Sequence, residues 1–241
     1  MTSQDTPHRV DRLELHLIDW QWPFADARRG EIDAHFAGAR RDKPAMFNGR
    51  ILLARDARCV GDVFRADYFE TDFASFLAWR DWGFPDREIF NGFGAGALRA
   101  NDGAYALGEM SAHTANAGKI YFPAGTPDLN DIRGDRVDIP DSILREMEEE
   151  TGLARADYRV VEGWDIVFDG QMSAIIQTLD VDMPGDALCK RLQTNLAAQE
   201  EQELSDIHLV RSIADFTDAM PRYVVTFLAA QFGSPHTPPS W

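Results

Sequence analysis

Four glutamates and one arginine crowd into Arg145-Glu146-Met147-Glu148-Glu149-Glu150-Thr151-Gly152-Leu153. On an ideal helix each residue advances about 100°. Glu146, Glu149 and Glu150 then share one sector, as i, i+3 and i+4 neighbours. Ile143, Leu144 and Met147 cluster on another face, which can pack on a core. Like charges at these spacings repel by a few tenths of a kcal/mol per pair, and a divalent cation turns that cost into a gain. Mg²⁺ prefers oxygen ligands and is usually shared between carboxylates and a substrate phosphate. The stretch is therefore a candidate divalent-metal site.

The helix needs a stop and a loop to work against. Gly152 suits a left-handed C-terminal position, with Leu153 packing back, and Ser142 or Asp141 is the expected N-cap. Upstream lies the loop Pro123-Ala124-Gly125-Thr126-Pro127-Asp128.

Together these residues resemble the Nudix box, G-x5-E-x7-R-E-U-x-E-E-x-G-U with U aliphatic. The second half is matched in full from Arg145 to Leu153. The first half departs. Counted from Gly125, the first glutamate position holds Asp131; counted back from Arg145, it holds Val137, with Asp138 beside it. The box thus carries a six-residue insertion, around Ile132 to Asp138, and lacks its first glutamate. The expectation is that activity survives, that the usual loop-to-helix bracing is weakened, and that Asp131 and Asp138 are dispensable metal ligands at most.

The resemblance implies hydrolysis of a nucleoside diphosphate derivative at its pyrophosphate, with Mg²⁺ or Mn²⁺ as cofactor. It implies Glu149 and Glu150 as metal ligands and Glu146 as ligand or general base. Arg145 would orient these carboxylates without touching substrate. Relatives often add a carboxylate from a later loop, for which Glu200, Glu201 and Glu203 are the candidates. Gly125 and Thr126 of the loop are expected at the substrate. Arg99 and Lys119, on or beside central strands, are the candidate phosphate-binding cations. His113 reads as a surface residue, and Trp79, Trp82, Phe84 and Phe90 read as packing more than as a base-stacking platform.

Periodicity supplies the frame. Strands are expected over 11–18, 50–54, 63–69, 93–100, 104–110, 119–122, 158–168, 171–181 and 206–211. Helices are expected over 24–41, 73–82, the box, 184–199 and 212–232. From Phe93 onward this order is similar to the Nudix α/β/α sandwich with its mixed sheet. Residues 1–90 then form an α+β extension packing on a core of residues 91–241. Within it, Lys43-Pro44-Ala45-Met46-Phe47-Asn48-Gly49-Arg50 loosely resembles Nudix hydrolases that cleave UDP-glucose and UDP-galactose, which makes a nucleotide sugar the leading substrate. The alternative is a non-catalytic, nucleotide-binding Nudix module with a regulatory role.

Composition narrows the partners. The 241 residues carry 40 acidic and 24 basic side chains, a net charge of -16, with 44% hydrophobic residues for a sizeable core. Basic runs stop at pairs such as Arg28-Arg29 and Arg40-Arg41, so nucleic acid and anionic membranes are not expected partners. Cys59 and Cys189 form no metal-ligand spacing or disulfide framework. Met1 to Pro7 shows no signal-peptide core, and the expected setting is cytoplasmic. The resemblance also allows a homodimer.

Overall fold

The computed structural model describes residues 6–44, 46–114, 116–199 and 202–233. The first part of the chain runs β1 (His8–Val10), β2 (Arg12–Leu17), α1 (Pro23–Ala27), α2 (Arg29–Asp42), β3 (Arg50–Val60), β4 (Val63–Asp72) and α3 (Phe73–Asp81). Then come β5 (Ile89–Ala100), β6 (Tyr105–Met110), β7 (Ile120–Tyr121), β8 (Ala124–Gly125), β9 (Ile132–Arg133), β10 (Arg136–Val137) and α4 (Ile139–Thr151). The chain ends in β11 (Arg159–Val160), β12 (Trp164–Asp169), β13 (Met172–Val181), α5 (Gly185–Ala197), β14 (Leu204–Val210) and α6 (Arg222–Gly233).

The long strand β5 is the hub. It pairs in parallel with β13 over Asn91–Ala100 and antiparallel with β6, β8 and β3. The sheet is therefore mixed. Alternate residues of a strand face opposite sides. On one side a Cβ at Gly94 would sit 2.6 Å from Ile143 Cγ1, and one at Gly96 would sit 2.5 Å from Met147 Cε, so α4 lies directly on β5. On the other side Phe93 meets Tyr223 of α6, with ring centroids 5.3 Å apart. The expected α/β/α sandwich is present.

The first 90 residues join this sandwich through hydrogen bonds. β3 pairs with β5 at Ala54↔Phe90 and Arg55↔Ile89, and β1 pairs with β12. The helix α4 is wedged between two cores. Met147 belongs to the one under α5 and α6, while Ile139 and Ile143 pack with Leu15, Leu52, Phe64 and Tyr68 of the N-terminal strands. Each such burial contributes about 1.5–3 kcal/mol. Trp79 is fully buried among Trp22, Phe69 and Phe76, and Trp82 and Phe84 pack against that third core. Phe90 packs against the second. Their role is packing.

Several boundaries differ from the expectation, each for a local reason. The 24–41 helix is broken at Arg28, whose φ of -117° is non-helical. The box helix starts earlier than expected: Asp138 is its N-cap, accepting from Asp141 N at 3.1 Å, and Pro140 sits in the first turn. The expected caps Asp141 and Ser142 lie inside the helix. At the other end Gly152 has φ +68° and Leu153 is buried, as expected. The expected strand over 158–168 divides at Gly163, φ +76°. The expected helix over 212–232 begins only at Arg222, after a short turn at Ile213–Asp215 capped by the Ser212 hydroxyl. No helix among the described residues is long and apolar enough to cross a membrane.

Candidate active site

The site is built where β8, α4 and β5 meet. β8 lies antiparallel to β5, with Gly125 opposite Gly94 and Ala124 opposite Ala95. This brings the loop onto the acidic face of α4. A Cβ on Gly125 would lie 2.5 Å from Cδ and Oε1 of Glu146, so only glycine lets the carboxylate stand there.

The three glutamates have three different surroundings. Glu150 is 4% exposed; its Oε1 accepts from Ala124 N at 3.3 Å, and its Oε2 is buried with no partner. Burial pushes its carboxyl well above the ordinary range, and the charge of Glu146 adds to this. Glu146 accepts from Arg145 Nη1 at 2.9 Å. Burial raises its carboxyl to about 7; Arg145 opposes the rise, and Glu149, Glu203 and Asp131 reinforce it. The Glu149 side chain is 60% exposed, 3.6 Å from Arg145 Nη1.

A side-chain brace joins the loop to the helix. Asp131 is 1% exposed and accepts from Arg145 Nη2 at 3.0 Å. Its other oxygen accepts from Asp128 N at 2.9 Å, closing the loop that carries Gly125 and Thr126. Asp131, six residues after Gly125, thus ties the loop to α4 through Arg145. Between Asp131 and α4 the chain forms a hairpin. β9 and β10 pair with each other around Gly134, φ +68°, and β10 pairs with β2. Asp131 thus immediately precedes the hairpin, and Asp138 caps the helix that follows it. The N-terminal strands also hold this loop: Leu52 N donates to Pro127 O at 2.8 Å, and Ile51 bridges Asp128.

The remaining expected site residues divide. Lys119, Gly125 and Thr126 line one cleft of about 360 Å³ beside α4, together with Asn91, Tyr121, Asp169, Arg222 and Tyr223. Lys119 is exposed and forms no ion pair among the described residues. The Thr126 hydroxyl donates to Asn91 Oδ1 at 3.2 Å. Arg99 lies elsewhere, a correction to the expected pair of cations. Its Nε donates to the buried Asp180 at 2.8 Å, so a strand charge is neutralised inside the protein and does not reach the cleft. Glu203 is exposed, and its charge acts on Glu146, Glu150 and Tyr121, which places it on the acidic side of the site. Glu200 and Glu201 lie outside the described residues. His113 is exposed, as expected. Asn48 Oδ1 accepts from Ala74 N at 2.7 Å and Gly49 O accepts from Phe73 N, so that stretch caps α3. Sequence reasoning missed Asn91, Tyr121, Asp169, Arg222 and Tyr223, which share no motif.

Among the described residues no three Asp, Glu, His or Cys side chains are already grouped as a metal cage, because Glu149 is turned to solvent. The donor set nonetheless fits a hard divalent cation. An orphaned buried carboxylate oxygen costs stability unless something meets it. Glu150 and Glu146 are oxygen donors held at high proton affinity by burial and by each other.

This electrostatics has a measurable consequence. Glu146 binds more protons folded than unfolded between the ordinary value of 4.5 and about 7, and Glu150 shifts in the same direction. Their contribution to stability therefore falls as pH rises through that window. Asp72, Asp157, Asp206 and Asp215 are held below 3.8 and act only beneath it. Metal-free protein should melt lower at pH 8 than at pH 5.5, by roughly 3–6 °C for a chain of this size. The gap should shrink in Glu146→Gln, and Mg²⁺ should raise the pH 8 value. A gap unchanged by the substitution would place its origin elsewhere.

A substitution in the loop probes the same contact. Gly125→Ala should leave the melting temperature within a few degrees, since the backbone there is unstrained and the clash is with a movable carboxylate. Displacing Glu146 by about an ångström should cost roughly 10²-fold in turnover. Undiminished kcat would remove Glu146 from the chemistry.

No family model and no curated protein matches the sequence. Solved structures do. A Nudix hydrolase from M. smegmatis, RenU, is 16% identical, with 59% of this chain and 86% of that one covered at a TM-score of 0.39. An Ap4A hydrolase from C. elegans is 11% identical, with 58% and 92% covered at 0.39. A bifunctional NMN adenylyltransferase/ADP ribose pyrophosphatase from Francisella tularensis is 14% identical, with 64% and 44% covered at 0.41.

Proposed function

We propose that this chain is a divalent-metal-dependent hydrolase of the Nudix type, cleaving the pyrophosphate of a nucleoside diphosphate derivative, with a nucleotide sugar as the leading substrate. The observation that carries the reading is the buried, unpartnered Oε2 of Glu150 beside Glu146, Glu149 and a cleft with a cation at its rim. When bound, Mg²⁺ or Mn²⁺ would neutralise pyrophosphate charge and lower the pKa of the attacking water. Glu150 and Glu149 supply oxygen ligands. Lys119 meets phosphate at the rim of the cleft. Arg145, anchored by Asp131, fixes the position of Glu146.

Glu146 is the favoured general base. A carboxyl near 7 can take a proton from water and return it at neutral pH. A fully committed metal ligand would be a poor base, because the cation lowers its proton affinity. Glu146→Gln should lower kcat by the ~10²–10⁴ typical of a lost base, with metal affinity changed much less. Near-normal kcat there, beside a collapse in Glu203→Gln or Glu201→Gln, would move the role to the later loop. The function itself is tested by a Mg²⁺-supplemented screen of nucleoside diphosphate sugars, ADP-ribose and coenzyme A, with products identified by mass. Binding without metal-dependent cleavage of any of them would leave a ligand-binding module.

A further inference from the structure

Hydrolysis at the box leaves two polar groups of the cleft unused. Tyr223, in the first turn of α6, is 3% exposed and packs edge-on against Phe93 with ring planes at 80°. It lines the cleft, and its hydroxyl has no hydrogen-bond partner among the described residues. Asp169, the last residue of β12, lines the same cleft, and its carboxylate has no ion pair or hydrogen bond among the described residues. Tyr121, Glu150 and Asp169 all act on the Tyr223 phenol, and Tyr121 and Asp169 line the same cleft with it. Burial and these charges push the phenol well above its ordinary range, which keeps it a donor at neutral pH.

Tyr223 is thus a nearly buried side chain that lines the cleft with no partner for its hydroxyl among the described residues, which leaves the hydroxyl free to bond a ligand there. The chemistry of the pair narrows the ligand. An ionised carboxylate only accepts, while a phenol both donates and accepts. Vicinal hydroxyls match both, since two O–H groups can donate to one carboxylate while an oxygen of the pair accepts from the phenol. Phe93 and Met172 supply an apolar wall for the C–H face of a sugar ring. A nucleobase needs an open aromatic face, and Phe93 and Tyr223, 7% and 3% exposed, are spent edge-to-face on each other.

We propose that Asp169 and Tyr223 form the specificity pocket for a hydroxyl-bearing sugar on the substrate, the carboxylate accepting from vicinal hydroxyls and the phenol donating to one of them. This rests on the reading of the cleft as the site of a nucleoside diphosphate derivative. It differs from that reading in naming which moiety the cleft selects and by which residues.

Saturation-transfer NMR on the full chain in EDTA tests the pocket without turnover, with UDP-glucose and ADP-ribose as probes and UDP and ADP as their sugar-free counterparts. The terminal sugar protons should receive the strongest saturation. Asp169→Asn and Tyr223→Phe should each weaken binding of the sugar-bearing probes by roughly 10-fold or more, as for loss of a hydrogen bond a site is built around. UDP and ADP should change less than about twofold, and both variants should melt close to wild type. Strongest saturation on the base, equal losses for probes with and without the sugar, or no loss in either variant would each overturn the proposal. A sugar contact that survives when no diphosphate is hydrolysed with Mg²⁺ would uphold the pocket and remove only the catalytic reading.

Discussion

Glu150→Gln should abolish metal-dependent hydrolysis while leaving the protein at least as stable as wild type at pH 8. The two effects have one cause. Glu150 is a buried carboxylate with one oxygen on Ala124 N and the other unpartnered, and burial makes its charged form costly. The amide keeps the shape and the acceptor for Ala124 N and carries no charge to bury. It also removes a hard anionic ligand. Loss of metal-borne charge stabilisation amounts to several kcal/mol, roughly 10³-fold in rate. Glu149→Gln should lose activity comparably with an unchanged melting temperature, because that side chain is mostly in solvent. EDTA on wild type should mimic both. Full turnover in either variant, or turnover indifferent to EDTA, would end the metal assignment.

The second large effect is expected at Asp131. Asp131→Ala removes the partner of Arg145 Nη2 and the acceptor of Asp128 N together. Breaking a buried charged pair from one side costs about 3–5 kcal/mol, and the partial exposure of Arg145 brings the expectation to about 2–3 kcal/mol. Activity should fall with it, because Arg145 then loses its anchor beside Glu146 and the loop carrying Gly125 loosens. Asp138→Ala removes only a helix N-cap and should cost about 1 kcal/mol. Asp138→Asn keeps the cap and should be nearly silent. Urea titration of the three variants, with kcat on the best substrate of the screen, separates them. Equal losses at Asp131 and Asp138 would mean that the hairpin, rather than the Asp131 brace, is what holds the loop.

Much of this was legible before any coordinates. The spacing of Glu146, Glu149 and Glu150 put three carboxylates on one helical face, and Gly152 marked where that helix ends, because helix geometry and the left-handed cap depend on neighbouring residues only. β5, β6 and β13 are buried along nearly their whole length, as strands covered on both faces are. The apolar pattern runs on past the boundaries at Arg28, Gly163 and Pro221, where a local backbone break bounds the element. The amino-acid sequence by itself determined the acidic face, its glycine stop, the order of strands and helices, and the shortage of cations for meeting phosphate.

Tertiary structure alone decided how those parts combine. Asp131 and Arg145 are separated by thirteen residues that include a hairpin whose pairing with β2 returns the chain to the helix, and no local pattern encodes that return. Arg99 looked available because its partner Asp180 lies far along the chain on an adjacent parallel strand. Asp169 and Tyr223 come from different elements and line one cleft only because the fold brings β12 and α6 together. The proton affinities of Glu146 and Glu150 depend on what covers them, and burial is a property of the packed fold and not of the residue. Sequence fixes which chemical groups a chain owns and which local face they occupy; long-range packing decides which charges are neutralised and which are left facing a ligand.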